Sequence, residues 1–182
     1  KKTRYMINAS LKYQLFDWLD VVGRVKIDNY DNRSTYKAYA STGTLVSGDR
    51  GTYSDTSTQS KNTYADAIAT LNKSFNDWSV NVNLGVSLSD SRYEMIGYEG
   101  GLKLINFFAV HNIDFNKAWK AKQSGWHDQT RAIFANAEIG WKSMIYLTAT
   151  GRNDWDSRLA FSDYKSFFYP SIGLSAILTS MF

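Results

Sequence analysis

Several features are scarce or absent in this 182-residue chain, and each absence argues against a class of site or of protein. There is no Cys, which excludes disulfide bonds, thiolate metal sites and a cysteine nucleophile. Only two His residues, His111 and His127, leave little material for a zinc centre. A membrane-crossing helix requires a run of about 20 apolar residues, and the sequence contains none. The formal charge of +4 is too small and too dispersed to predict binding to nucleic acid.

The strongest positive signal is an alternation of apolar and polar residues with a period of two. In the first segment the apolar positions run from Tyr5 to Leu15 and the polar ones from Arg4 to Gln14. This pattern is typical of a strand with one apolar face and one polar, solvent-exposed face. Six further segments repeat it, near residues 19–27, 64–72, 79–89, 133–141, 145–152 and 168–176. The sequence thus predicts an all-β chain of about seven antiparallel strands, longer than the usual length of about 5 to 6 residues.

The connections between these strands alternate between short and long. Tight turns are predicted near residues 16–18, 75–78 and 142–143. Long loops are predicted near residues 31–61, 90–128 and 153–166. Because short and long connections alternate, all the long loops emerge at the same end of the strands. We expect residues 1–182 to form one partial barrel domain with this up-and-down topology.

Long alternating strands with short turns at one end and long loops at the other are typical of a transmembrane β-barrel. Aromatic residues cluster near the predicted turns, at Phe16, Trp18, Phe75, Trp78, Trp141 and Tyr146. A second group lies near the loop ends, at Tyr30, Tyr64, Phe167, Phe168 and Tyr169. Two such groups fit the two aromatic girdles of a membrane protein. We therefore expect a multi-pass barrel segment in a Gram-negative outer membrane.

Three architectures are compatible with this pattern. A soluble antiparallel sandwich also alternates, and would make the chain a soluble β-rich glycan-binding module. A complete small outer-membrane barrel, acting as an adhesin or structural protein, needs an eighth strand, for which residues 102–113 are the candidate. The third is a slice of a larger barrel. We favour the slice because seven strands do not close, and alternation in residues 102–113 is poor.

Three stretches carry a family resemblance. They are Gly100–Asn112 (GGLKLINFFAVHN), Tyr146–Trp155 (YLTATGRNDW) and Ser166–Ser171 (SFFYPS). The most specific element is the Thr-Gly-Arg-Asn-Asp-Trp run that leaves one strand, followed by Phe-Tyr-Pro-Ser at the start of the next. Together they resemble the barrel region of the SusC/RagA family of TonB-dependent outer-membrane transporters. The match is good from about Arg92 to Leu178 and only architectural before Arg92.

This resemblance implies a role in energised nutrient import. Members of the family have a barrel of about 22 strands around a plug domain. It implies that a SusD-like surface lipoprotein closes over the loops, and that a TonB complex acts through plug segments outside these residues. The cargo implied is an oligosaccharide or a peptide, and the surroundings are outer-membrane lipid.

Two groups of residues are candidates for binding. Loop aromatics supply contact area at low entropic cost, and we expect them to contact a ligand or partner or to pack the loops together. These are Tyr36, Tyr39, Tyr53, Trp119 and Trp126. Basic residues on the predicted lumen face favour an anionic ligand, but pairing with acidic residues of the plug is the preferred interpretation. These are Arg4, Lys12, Arg24 and Lys26.

Arg152, also predicted to face the lumen, is expected to bind a carboxylate of the plug or of a neighbouring strand. No constellation for catalysis is evident, since neither His has a nucleophile in a strained turn beside it. Asp154 and Asp156 lack the further acidic ligands that a calcium loop needs. The sequence therefore predicts a protein that is not an enzyme and has no metal or cofactor.

Overall fold

The computed structural model of the chain describes residues 1–177, except the side chains of residues 44 and 46. Seven strands dominate it: β1 (Lys2–Phe16), β2 (Leu19–Ala38), β3 (Thr52–Phe75), β4 (Trp78–Gly101), β5 (Trp119–Trp141), β6 (Ile145–Asp156) and β7 (Phe167–Ala176). The short helix α1 (Thr44–Ser47) and two 3-10 turns, Val110–Asn112 and Ser157–Leu159, lie between strands. No helix within residues 1–177 has the length and hydropathy needed to cross a membrane.

The strands form a single sheet in which each strand lies beside the next one in the chain, from β1 to β7. The pairs β5–β6 and β6–β7 are antiparallel. Their registers place Ala137 opposite Ala149, and Ala149 opposite Ile172. The predicted all-β, up-and-down fold is confirmed.

Three tight turns connect β1 to β2, β3 to β4 and β5 to β6, at residues 17–18, 76–77 and 142–144. Asn76 has a φ of 50°, in the left-handed region that Asn tolerates better than most residues. Lys142 and Ser143 adopt the same region, with φ of 50° and 57°. In the first turn the rings of Phe16 and Trp18 stack with their centroids 5.2 Å apart.

The strands extend further than the alternating pattern indicates. β2 continues to Ala38 and β3 begins at Thr52, while β4 ends at Gly101 and β5 begins at Trp119. These extensions occupy parts of the ranges from which the sequence predicts long loops, 31–61, 90–128 and 153–166. Polar residues dominate both faces of the extensions, as in Thr52–Lys61. A strand without an apolar face has no period-two signal, so the pattern misses it.

Residues 102–113, the candidate eighth strand, do not form one. Only an isolated bridge joins Leu102 to Ile113, and the residues between them include a 3-10 turn. The reason is local: the Asn112 side chain binds the backbone of Leu104 and Phe107, which folds the segment back on itself. The sequence analysis disfavoured an eighth strand here, and this stretch forms none.

The chain divides into two compact units. We call residues 1–5, 28–61 and 91–127 the loop unit, and residues 6–27, 62–90 and 128 onward the turn unit. The loop unit has a small core in which Tyr53, Leu102 and Ile113 are each at most 5% exposed.

In the turn unit the apolar strand face remains uncovered. Leu11 is 75% exposed, Leu84 is 55% exposed and Ile172 is 78% exposed. The described part of the chain has no second layer of side chains over them. A large exposed apolar face marks contact with lipid or with another protein.

Candidate functional site on the polar strand face and in the loop cluster

The opposite face of β1, β2 and β3, which we call the polar face, carries ion pairs between neighbouring strands. Lys12 on β1 lies 3.1 Å from Asp20 on β2. Arg24 on β2 donates from Nε and Nη2 to the two carboxylate oxygens of Asp66 on β3, both at 2.8 Å. Such fork-like pairs fix the geometry of both side chains.

In each of these pairs the cation is exposed and the carboxylate is covered. The Arg24 side chain is 52% exposed and that of Asp66 only 1%. The Lys12 and Asp20 side chains are 64% and 26% exposed. Burial of a carboxylate is unfavourable unless it is paired, so Asp66 depends on Arg24. The surface therefore presents its positive groups to solvent although the pairs are formally neutral.

The loop unit repeats this arrangement. Arg4 donates two hydrogen bonds to Asp28, at 2.8 and 2.6 Å. The sequence favoured acidic residues of the plug as the partners of Arg4, Lys12 and Arg24, but all three have partners within this chain. Lys26 differs, because no ion pair or hydrogen bond of its side chain is found in residues 1–177.

A second network in the loop unit joins Arg33, Asp55 and Tyr53. Arg33 donates from Nη2 to Asp55 at 2.5 Å, and the Tyr53 hydroxyl donates to the same carboxylate at 3.3 Å. The hydrogen bond from Arg33 holds the pKa of Asp55 below its ordinary value, despite partial burial. Burial raises the pKa of the Tyr53 hydroxyl, and the nearby Asp55 charge adds to the effect.

Arg152 pairs within its own strand. Its Nε donates to Asp154 at 2.7 Å, two residues further along β6. The guanidinium also lies 5.8 Å from the ring centroid of Phe134, its register partner on β5. The expected partner on the plug or on a neighbouring strand is thus replaced by a near neighbour in sequence.

Asp156, the second of the two acidic residues considered as metal ligands, is the last residue of β6, at the end distant from the tight turn at residues 142–144. It accepts hydrogen bonds from the Arg158 backbone N–H at 2.9 Å and from its guanidinium at 2.6 Å. The Arg158 hydrogen bonds lower the pKa of Asp156 well below its usual range. No group of three His, Cys, Asp or Glu side chains with metal-binding geometry occurs among the residues described.

The predicted loop aromatics occupy three different environments. Tyr53 is 5% exposed and belongs to the core of the loop unit. Tyr39 is 52% exposed and meets the Phe108 ring edge-on at 4.8 Å. Tyr36 is similarly exposed, at 53%. Tyr53 is therefore placed for loop packing, whereas Tyr36 and Tyr39 are available for contact.

Trp119 and Trp126 both lie on β5 and are about half exposed. Trp126 stacks on Tyr93 of β4, with centroids 6.0 Å apart and an angle of 14°. Trp119 meets Phe115 edge-on at 5.0 Å. Sequence reasoning missed Tyr93 and Phe115, because no local pattern shows which aromatic rings meet the two tryptophans. The pairing of β4 with β5 is what brings Tyr93 to Trp126.

The connecting segments of the loop unit are firmly held. Asn112 is 4% exposed, and its amide bonds the carbonyl oxygens of Leu104 and Phe107 at 3.0 and 2.7 Å. Arg50 donates from Nη1 to the Lys103 carbonyl at 2.6 Å. These bonds organise a loop cluster that displays Leu104 and Phe107 to solvent, 64% and 50% exposed. No sequence motif announces the role of Asn112.

Comparison with known proteins finds likeness in structure only. No protein-family model and no curated protein matches the sequence. Among solved structures, the RagAB peptide transporter aligns with a TM-score of 0.85 and 15% identity, over 95% of this chain and 19% of that one.

Two receptors from Acinetobacter baumannii also align over 95% of this chain, at 12% identity. The siderophore receptor PiuA gives a TM-score of 0.55 over 29% of its length, and the ferric preacinetobactin receptor BauA gives 0.57 over 27%. The chain spans less than a third of any of these proteins. It therefore shares the fold of the matching barrel segments of these transporters and receptors, and the resemblance to the SusC/RagA transporters is confirmed at the level of the fold.

Proposed function

We propose that this chain is part of the barrel wall of an outer-membrane nutrient importer. The observation that carries the proposal is the contrast between the two strand faces of the turn unit. One face exposes large apolar side chains such as Leu84 and Ile172, and the other holds ion pairs such as Arg24–Asp66. Lipid outside and water inside a barrel require this contrast.

The aromatic residues at the turns support the same placement. Trp18, Trp78 and Trp141 lie at the three tight turns and are 37–45% exposed. Amphipathic rings are most stable at the membrane–water interface. We therefore place the turns at one interface, with about ten residues of each adjacent strand spanning the hydrocarbon layer.

The sheet has two free edges in the described residues, one at β1 and one at β7. Each unpaired backbone N–H or C=O group in hydrocarbon costs several kcal/mol, so a membrane sheet must close. Further strands of a longer parent protein are the simplest partners for these edges. A complete small barrel is disfavoured because residues 102–113 add no strand. The exposed apolar face likewise disfavours a soluble glycan-binding module.

We further infer that the parent protein imports a peptide or an oligosaccharide, is energised by a TonB complex and works with a SusD-like surface lipoprotein. The peptide transport named for RagAB supports peptide as the first cargo to test. The exposed Tyr36, Tyr39 and Leu104 of the loop unit are candidates for the contact with the lipoprotein.

Deletion of the gene that encodes the parent protein tests this function. We expect loss of growth on oligopeptides or on oligosaccharides as the sole nutrient, with growth on free amino acids and glucose unchanged. Deletion of tonB should give the same phenotype, and a lipoprotein should copurify with the parent protein from solubilised outer membranes. Unchanged growth on both nutrient classes would contradict import.

The membrane placement has a separate test. Because the chain has no Cys, single cysteines can be introduced at Leu84 and at its neighbour Asn83 and labelled with an environment-sensitive dye. Nitroxide-labelled lipids should quench the dye at position 84 and leave that at position 83 largely unaffected. Equal quenching at both positions would contradict our assignment of the two faces.

A further inference from the structure

A cleft of about 450 Å³ opens in the turn unit where β1, β2 and β3 lie side by side. Residues 8–10 of β1 and 24–26 of β2 line it together with Tyr64 and Asp66 of β3. Its polar lining residues are two positions apart on each strand, so they belong to the polar face. The polar residues of the cleft are Asn8, Ser10, Arg24, Lys26, Tyr64 and Asp66.

Arg24 is held in this cleft with one donor nitrogen unused. Asp66 binds its Nε and Nη2 atoms at 2.8 Å each. No acceptor for Nη1 occurs in the part of the chain that the structure describes. Since Asp66 is covered and Arg24 is half exposed, the guanidinium is fixed but accessible.

Lys26 supplies the second positive group. It lies two residues beyond Arg24 on β2 and therefore on the same face of the strand. Arg4, Lys12 and Arg24 each bind a carboxylate of this chain, whereas the exposed Lys26 binds none within residues 1–177. The cleft consequently carries one uncompensated positive charge.

We propose that this cleft is a carboxylate-binding site, with the Lys26 ammonium and Arg24 Nη1 as charged donors and Asn8 and Ser10 as neutral ones. The single net positive charge of the cleft matches the single negative charge of a carboxylate. A phosphate dianion carries two negative charges, of which the cleft would neutralise only one. Charged donors give short and strong hydrogen bonds to such a group. The site rests on the proposed exposure of the polar face to the barrel interior.

Two sources of this carboxylate have the same chemistry: an acidic side chain of the imported cargo, and an acidic side chain of a parent segment inside the barrel. A water-soluble carbodiimide distinguishes them, because it joins an amine to a carboxylate only where the two are in contact. The reagent is applied to the full-length parent protein, with and without N-acetyl-tetraglutamate, and the cross-links are identified by mass spectrometry.

We expect Lys26 to form an amide with a carboxylate outside residues 1–177. A cross-link to the added peptide identifies cargo as the source, and a cross-link to the parent identifies an internal segment. The Lys12–Asp20 pair, at 3.1 Å, serves as the internal control for reagent access. If Lys12 cross-links to Asp20 and Lys26 reacts in neither sample, the carboxylate site is refuted while the barrel assignment stands. If Lys12 also fails to react, the polar face is not open to water, and both proposals are wrong.

Affinity gives a second readout when cargo is the source. Lys26→Gln breaks no ion pair of the described residues, so the fold should be retained. It should weaken binding of N-acetyl-tetraglutamate about tenfold, equivalent to about 1.4 kcal/mol, and leave binding of N-acetyl-tetraglutamine amide, which has no carboxylate, unchanged. Lys12→Gln is the matched control and should change neither affinity by more than about twofold, since a neighbouring carboxylate already offsets its charge. Equal effects of the two substitutions would overturn the site.

Discussion

Arginine substitution at two adjacent residues of β6 tests the inside and outside assignment directly. Ala149 lies between Ala137 and Ile172 of the neighbouring strands, a row of three apolar residues. Thr150 lies between Asn136 and Ser171, a row of three polar residues. The two positions differ in face but hardly in depth, which makes each the control for the other.

The magnitude follows from the depth of these residues. Ala149 is the fifth residue of β6, which begins at Ile145 directly after the turn. With a rise of about 3.3 Å per residue and a tilt of about 45°, it lies about 10 Å above Ile145. That is close to the middle of an apolar band about 25 Å tall, where Arg on the lipid face costs about 2 to 4 kcal/mol. The wild-type side chain is small, so little of this cost comes from lost packing.

We expect Ala149→Arg to lower the free energy of unfolding by about 2 to 4 kcal/mol, and Thr150→Arg to change it by about 0.5 kcal/mol or less. The assay is reversible denaturant unfolding of the full-length parent protein in lipid vesicles, followed by tryptophan fluorescence. Equal losses at the two positions, or a larger loss for Thr150→Arg, would refute the lipid and lumen assignment.

Three further predictions concern the polar network, the loop unit and a tight contact. Asp66→Asn should reduce the free energy of unfolding by about 1 to 3 kcal/mol, because it leaves Arg24 without its charged partner. Asp20→Asn, at a more exposed pair, should reduce it by less than about 1 kcal/mol in the same denaturant unfolding assay. The folded pKa of Asp55 lies below its ordinary value of 3.8, so its ionised carboxylate stabilises the fold above that pH, and this stabilisation is lost as the pH falls through the folded pKa. Urea titrations at decreasing pH should therefore show a loss of unfolding free energy that Asp55→Asn removes. Gly85→Ala should lower the free energy of unfolding by about 1 to 3 kcal/mol, because the Cβ of the new alanine would overlap the Phe134 ring. In a Phe134→Ala background the same substitution should cost little, and a double-mutant cycle measures the difference.

The ion pairs show where sequence reasoning reached its limit. Alternation placed Lys12 and Arg24 on the polar face, but it carries no information on strand register. The partners Asp20 and Asp66 are fixed by how far each strand is offset from its neighbour. This is why the sequence assigned their partners to a plug outside the chain.

The loop unit was the least predictable region. Its core joins Tyr53 to Leu102 and Ile113, residues about 50 to 60 positions apart in the chain. Its strand extensions are polar on both faces, so no apolar stripe marks them. The organising hydrogen bonds of Asn112 depend on a buried position that no local pattern indicates.

The sequence by itself determined which residues form the amphipathic parts of the strands, because a strand with one apolar face and one polar face must alternate with a period of two whatever its neighbours are. It also determined three of the six strand pairings, since the tight turns force β1 to pair with β2, β3 with β4 and β5 with β6, whereas the pairings across the longer connections are given by the sheet. Only the tertiary structure decided which charges neutralise each other and which, like Lys26, are left over. Those outcomes depend on offsets of one or two residues between strands, and such offsets arise from packing across the whole sheet.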